Sequence, residues 1–173
     1  WVDMLPEQRA LYDEVREGIL ANLEGDDFTY LSVLAQLTRF QQIVDSPALL
    51  AEVLPDRDLP EDSAKMQELW NILEDINIQD NKVIIFSQYR RMTDILYSHL
   101  KERYGTEAIR YISGQVKNVQ LRGIYQDEFQ TKEEVRIMLL TTAGNYGLDL
   151  YKASYVICYD QLFYIRRPEN PFV

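Results

Sequence analysis

A chain of 173 residues, 46% hydrophobic, is long enough for one domain with its own core and some additional helix. The single cysteine, Cys158, excludes a disulfide framework, and the single histidine, His99, excludes a multi-histidine metal site. Net charge is −10, which taken alone argues against nucleic acid, but residues 1–81 hold 5 Lys+Arg against 18 Asp+Glu (5 − 18 = −13) and residues 82–173 hold 13 against 10 (13 − 10 = +3).

The acidic excess is therefore confined to the first half, where it is either a set of solvated helix faces or a surface for a protein partner. It leaves the second half open to a DNA backbone. No apolar run approaches the roughly 20 residues of a membrane span. No secretory signal is visible, so the expected location is intracellular and soluble, nuclear in a eukaryote and cytoplasmic in a bacterium or phage. A start at Trp1 instead of methionine reads as a fragment of a longer protein.

Pro6 suits the first turn of a helix, where a missing N–H costs nothing. Leu11, Val15 and Ile19 then recur at four-residue spacing to about Leu23. A second helix over 29–44 offers Leu34, Leu37, Phe40 and Val44 to one side and stops before Pro47. The acidic stretch 52–62 reads as a surface loop. Ser63 is placed to cap a third helix with Met66, Leu69, Trp70, Leu73 and Ile76 on one face.

At Lys82 the pattern changes. KVIIFS predicts a short buried strand, followed by a helix with Met92, Ile95, Leu96, His99 and Leu100 along one face and Gly105 at its end. His99 is expected as a packed or half-exposed helix residue. AIRYIS is the next strand, and residues 118–129 the next helix, with Leu121, Ile124 and Tyr125 inward. Two further strands, 136–141 and 154–159, both look buried and are joined by a glycine-bearing loop. Runs apolar on both pleat faces suit parallel strands covered from both sides. The fold class is therefore α/β, a parallel sheet with helices on both faces preceded by helices. We divide it into a helical lead-in, residues 1–78, and a lobe, residues 79–173.

All four strand tips are polar: FSQ, ISG, TTAGN and YDQ. In open parallel sheets ligands sit at the carboxyl ends of the strands, so this edge is the candidate site. Thr141 and Thr142, followed by Gly144, can present hydroxyls and backbone N–H groups to a phosphate. Gly147 permits a positive φ or a close approach, and Asp149 can accept from a ribose hydroxyl or pair with a basic residue. Tight packing explains such a loop equally well. There is no G-x-x-x-x-G-K-[ST] phosphate loop, nucleophile elbow or zinc signature.

Four stretches, in order, resemble the second RecA-like lobe of Swi/Snf-family DNA-dependent ATPases, within helicase superfamily 2. LPEQRALYDEV and LTRFQQIVDSPALL resemble the helical lead-in of that group. SAKMQELWNIL with KVIIFSQYRRMTDIL resembles its helix and motif IV. RYISG with Arg122 and Phe129 resembles the strand that follows, and LLTTAGNYGLDLYKASYVICYD resembles motif V.

The resemblance implies the C-terminal motor lobe of an ATP-dependent double-stranded DNA translocase or remodeller. Ser87, Gln88, Thr141 and Thr142 would contact the DNA backbone, Gly114 and Arg122 would shape the DNA-facing edge, and Gly147 and Asp149 would face nucleotide. ATP and Mg2+ would be bound mainly by an N-terminal RecA-like lobe of the same protein. Catalytic and metal residues are not found in this chain, which alone is expected to hydrolyse no ATP.

Thr142 stands where the group usually has a basic residue, Asn145 where it has glycine, and Asp149 where it has asparagine. The arginine-rich motif VI is not recognisable, Arg166 and Arg167 being the only basic residues near the end. The alternatives are a degenerate lobe serving as a protein-interaction or DNA-docking module, and a free-standing flavodoxin-like nucleotide binder.

Overall fold

Val83–Ser87 (β1), Ile109–Ile112 (β2), Ile137–Thr141 (β3) and Tyr155–Cys158 (β4) form one parallel sheet in the order β2-β3-β1-β4 in a computed structural model of the protein. The structure describes residues 2–23, 30–116, 118–142 and 147–160; Gly144, Asn145, Arg166 and Arg167 lie outside them. Five α-helices accompany the strands: Pro6–Leu23 (α1), Tyr30–Asp45 (α2), Ala64–Asp75 (α3), Arg90–Tyr104 (α4) and Val119–Thr131 (α5). The α/β class, the strand sequence and the preceding helices are those expected.

The strands alternate their side chains between two cores, as the period of two requires. Val83, Ile85, Ile137 and Leu139 face Met66, Leu69 and Leu73 of α3 and Met92, Leu96 and Leu100 of α4. Phe86, Ile112, Met138 and Leu140 face Phe129 of α5 on the other side. There Leu148, Leu150 and Ala153 of the β3–β4 connection complete the cover. That connection does the work of a crossover helix with fewer residues. Each fully buried Leu or Ile stabilises the fold by about 1.5–3 kcal/mol.

A third cluster joins Leu11 of α1, Ile43 of α2 and Leu50 of a 3₁₀ helix, Pro47–Leu50. Because Ala48 and Leu49 of that 3₁₀ helix and Met66, Leu69 and Leu73 of α3 pack in the sheet's own core, the lead-in and the lobe share a hydrophobic interior.

Local chemistry sets the ends. Ser63 caps α3 by accepting from the Met66 N–H at 3.1 Å. Asn118 caps α5, accepting from Gln120 and Leu121. Gly105, at φ +83°, ends α4 in a conformation other residues resist.

Three expectations are corrected. β4 is not a buried strand: Tyr155, Val156 and Cys158 are exposed, because among the described residues β4 pairs with β1 alone and forms one edge of the sheet. A run apolar on both faces reads the same at an edge as in the centre. Ile124 is 52% exposed, because α5 turns Phe129 inward and leaves that flank outside. Leu37 is 48% exposed, and it is Ile43 that α2 buries completely. His99 is half-buried on α4, with Nε2 3.0 Å from a Glu61 carboxylate oxygen.

A candidate nucleic-acid interface at the strand tips

Parallel pairing brings the four carboxyl ends to one edge. Ser87 is the register partner of Thr141, Ile112 that of Leu140, and Phe86 that of Cys158. Gly114, Thr142, Gln88 and Asp160 therefore follow one another along the edge in sheet order. At ~4.8 Å per strand step, the three steps span about 14 Å.

Exposure separates the candidates. Thr142 and Gly114 are exposed and Gln88 is half-buried, whereas Ser87 and Thr141 are buried. Arg122 is half-buried, and its Nε donates to the Val116 carbonyl at 2.9 Å. It thereby braces the turn after β2 that carries Gly114. Arg90 and Arg91, in the first turn of α4 directly after Gln88 and Tyr89, add positive charge beside the edge. They lie 3.7 Å from Asp94 and Glu52 respectively, in open ion pairs.

The centre of the edge is organised by a residue that motif spacing did not single out. Asp160, 2% exposed, accepts from the Ser87 hydroxyl and from the Gln88 N–H at 2.9 Å. Burial raises its carboxyl above the usual range, opposed by those two hydrogen bonds and by the Lys65 charge. The only sequence signal was its place in the polar tip YDQ.

Next to it, Tyr159 turns its ring the other way. Its hydroxyl donates to the Asp45 carbonyl at the end of α2, at 2.8 Å, and lies 3.4 Å from Ser63 Oγ at the start of α3. Burial raises the phenol above its usual range.

Beneath Tyr159, Asp45 is fully buried. One carboxylate oxygen pairs with Lys65; the other, Oδ2, meets no partner among the described residues. Burial, and to a smaller degree the Asp160 charge, push its carboxyl up to about 7 against the pull of Lys65. Gln8 of α1 closes the junction. Its Nε2 donates to the carbonyls of Ile43 (2.8 Å) and Val44 (3.1 Å), and its Oε1 accepts from Ala64 N–H at 3.3 Å. None of this polar junction was foreseen, since each member is an isolated polar residue in an otherwise helical pattern.

The two nucleotide candidates both fall in the connection between β3 and β4. Gly147 adopts φ +75° and is exposed. Asp149 is exposed, and its carbonyl accepts from Gln130 Nε2 at 2.6 Å, in the last turn of α5. Since α5 runs from the tip of β2 to the foot of β3, this places Asp149 toward the opposite end of the sheet from Thr141. No cluster of three or more His, Cys, Asp or Glu suited to a metal occurs among the described residues. No helix among them is long and apolar enough to cross a membrane.

The family described as helicase conserved C-terminal domain matches residues 64–166. A Bacillus subtilis protein named for an ATP-dependent helicase/translocase, YwqA, is 29% identical over 164 residues, 93% of this chain and 18% of that protein. The Sulfolobus solfataricus SWI2/SNF2 ATPase C-terminal domain superposes with a TM-score of 0.74 at 26% identity, covering 92% of this chain and 69% of that one. The core of the Sulfolobus solfataricus enzyme in complex with dsDNA gives 0.78 at 27% identity, covering 92% and 34%. The chain spans less than a fifth of the length of the curated relatives, 18%, 16% and 9% for three of them.

Proposed function

We propose that this chain, which belongs to the helicase conserved C-terminal domain family and to its Swi/Snf branch, works as the second motor lobe of an ATP-driven translocase or remodeller of double-stranded DNA. The observation that carries the reading is the polar strand-tip edge. Gly114, Thr142 and Gln88 stand side by side over about 10 Å, room for a few phosphates at ~3.4 Å of duplex axis each. A solved structure similar to this chain, the Sulfolobus solfataricus SWI2/SNF2 ATPase core, is in complex with dsDNA, which supports the same ligand here.

In this reading Gln88, Thr142 and the backbone at Gly114 touch phosphate oxygens, while Ser87, Thr141 and Arg122 hold the segments that present them. Such contacts carry no base information, as a protein that moves along any sequence requires. Arg90 and Arg91 supply the electrostatic part.

ATP and Mg2+ would be held chiefly by a first lobe. The contribution of this chain would be Gly147, exposed and without a side chain to bar a close approach, and Asp149 near it. Phosphoryl transfer needs a phosphate cradle, a metal and a charge-stabilising arginine together. The 173 residues contain no phosphate loop, so alone the chain hydrolyses no ATP.

The test is a titration of fluorescent duplex DNA with the purified chain at several salt concentrations, alongside an ATPase assay. Binding that weakens steeply with salt and is indifferent to sequence is expected, with no DNA-stimulated turnover. Salt-independent binding, or none, would overturn the DNA assignment.

A further inference from the structure

We propose that Tyr159 and Asp160 form a positioning pair that ties the seating of α2 and α3 to the presentation of Gln88 at the strand-tip edge. The two are consecutive at the end of β4 and their side chains serve opposite partners. Tyr159 Oη donates to the Asp45 carbonyl at 2.8 Å and reaches Ser63 Oγ at 3.4 Å, so it reads the junction between the end of α2 and the start of α3. Asp160 accepts from the Ser87 hydroxyl and the Gln88 N–H, so it fixes the tip of β1. Both are buried, at 5% and 2% exposure, and a shift of one drags the other through a single peptide unit.

The junction on the Tyr159 side has a feature that stability does not explain. Asp45 is fully buried and its Oδ2 meets no partner among the described residues, which costs stability that an apolar residue there would not lose. Such a group makes the junction sensitive to charge. The titratable groups that face it are Lys65 from α3, Tyr89 from the start of α4, and Tyr159 and Asp160 from the end of β4, with Asp62 acting on Tyr159. Tyr89, the residue after Gln88, also reaches α2, its hydroxyl donating to Gln41 Oε1 at 3.0 Å, so the pair's share of any Asp45 effect on the Gln88 amide is the share that Tyr159→Phe removes.

The inference borrows from the DNA reading only its purpose, and its readout needs no DNA. In the isotope-labelled full chain, the Gln88 amide is expected at low field from its carboxylate partner, with a titration step near pH 7 that reports Asp45. Asp45→Asn removes the step. Tyr159→Phe, which keeps the ring and deletes the hydroxyl, should cut its amplitude at least twofold and speed exchange of the Gln88 amide by about threefold to tenfold, the equivalent of one hydrogen bond. Asp160→Asn abolishes the low-field position.

A Gln88 amide that titrates unchanged in Asp45→Asn, or is unchanged in Tyr159→Phe, overturns the coupling. Should Tyr159→Phe fail to fold, Lys65→Gln perturbs the same junction from α3, and the same silence at Gln88 counts against the proposal. A chain that binds no duplex defeats the functional reading, while the amide result decides this one.

Discussion

Ser87 and Thr141 are register partners at the last positions of β1 and β3, and both hydroxyls are buried. The edge they terminate is therefore presented by their successors, Gln88 and Thr142. Alanine at Gln88 or at Thr142 is expected to weaken duplex binding by about threefold to tenfold each, the value of a hydrogen bond. Neither residue is charged, so the salt dependence should keep its slope. Thr141→Val should act differently, lowering stability by roughly 1 kcal/mol where its hydroxyl is satisfied. Anisotropy titrations and urea unfolding on the same samples separate the two effects.

Arg90 is the cation best placed to meet phosphate, with its side chain 55% exposed and its partner Asp94 at 3.7 Å. An exposed pair of that length contributes little to stability. Arg90→Ala should leave the unfolding midpoint nearly unchanged while reducing the slope of log K against log salt by about 0.9, one phosphate contact. A slope unchanged within error would remove Arg90 from the interface.

Two glycines should respond to alanine with opposite signs. A Cβ at Gly147 meets nothing within 4 Å, yet φ is +75°, so Gly147→Ala costs about 1–2 kcal/mol through backbone strain alone. Gly123 is in the middle of α5 with equally open space, and there alanine should add about 0.5–1 kcal/mol by helix propensity. Urea midpoints of the two variants moving in the same direction would contradict this.

The fold was legible because its signals are local and repeat. Ser63 before a 3.6-residue apolar period, Gly105 after one, and the doubly apolar runs of β1 and β3 each name an element without reference to the others. The identity of the edge was legible for the same reason, since four polar tips follow four strands. What was not legible is position across the sheet. Val156 and Met138 look alike in sequence, yet the strand order β2-β3-β1-β4 leaves one exposed and the other buried. The same holds for Gln8, Asp45, Lys65 and Asp160. Their pairings span 35 to 72 residues for Gln8 with Ile43 and for Asp160 with Gln88, and no period encodes them. Asp149 adds another such pairing, its carbonyl accepting from Gln130 in the last turn of α5, 19 residues away.

The buried Asp45 sets the pH dependence of stability. Its carboxyl is raised from 3.8 to about 7, with burial as the main cause. A carboxyl whose folded pKa lies above its unfolded value binds more protons in the native state across that window. Stability therefore falls as pH rises from near 4 to near 7, and this group adds no further change above that. The slope approaches about 1.4 kcal/mol per pH unit where the native group is protonated and the unfolded one is not. Asp160, also raised, contributes in the same direction. Asp45→Asn should flatten the curve over this range, and the variant should gain on the wild type steadily from pH 5 to pH 7.5. Urea unfolding at half-unit pH intervals measures it. A wild-type stability that instead rises between pH 5 and 7, with Asp45→Asn running parallel, would show that Lys65 holds Asp45 ionised throughout.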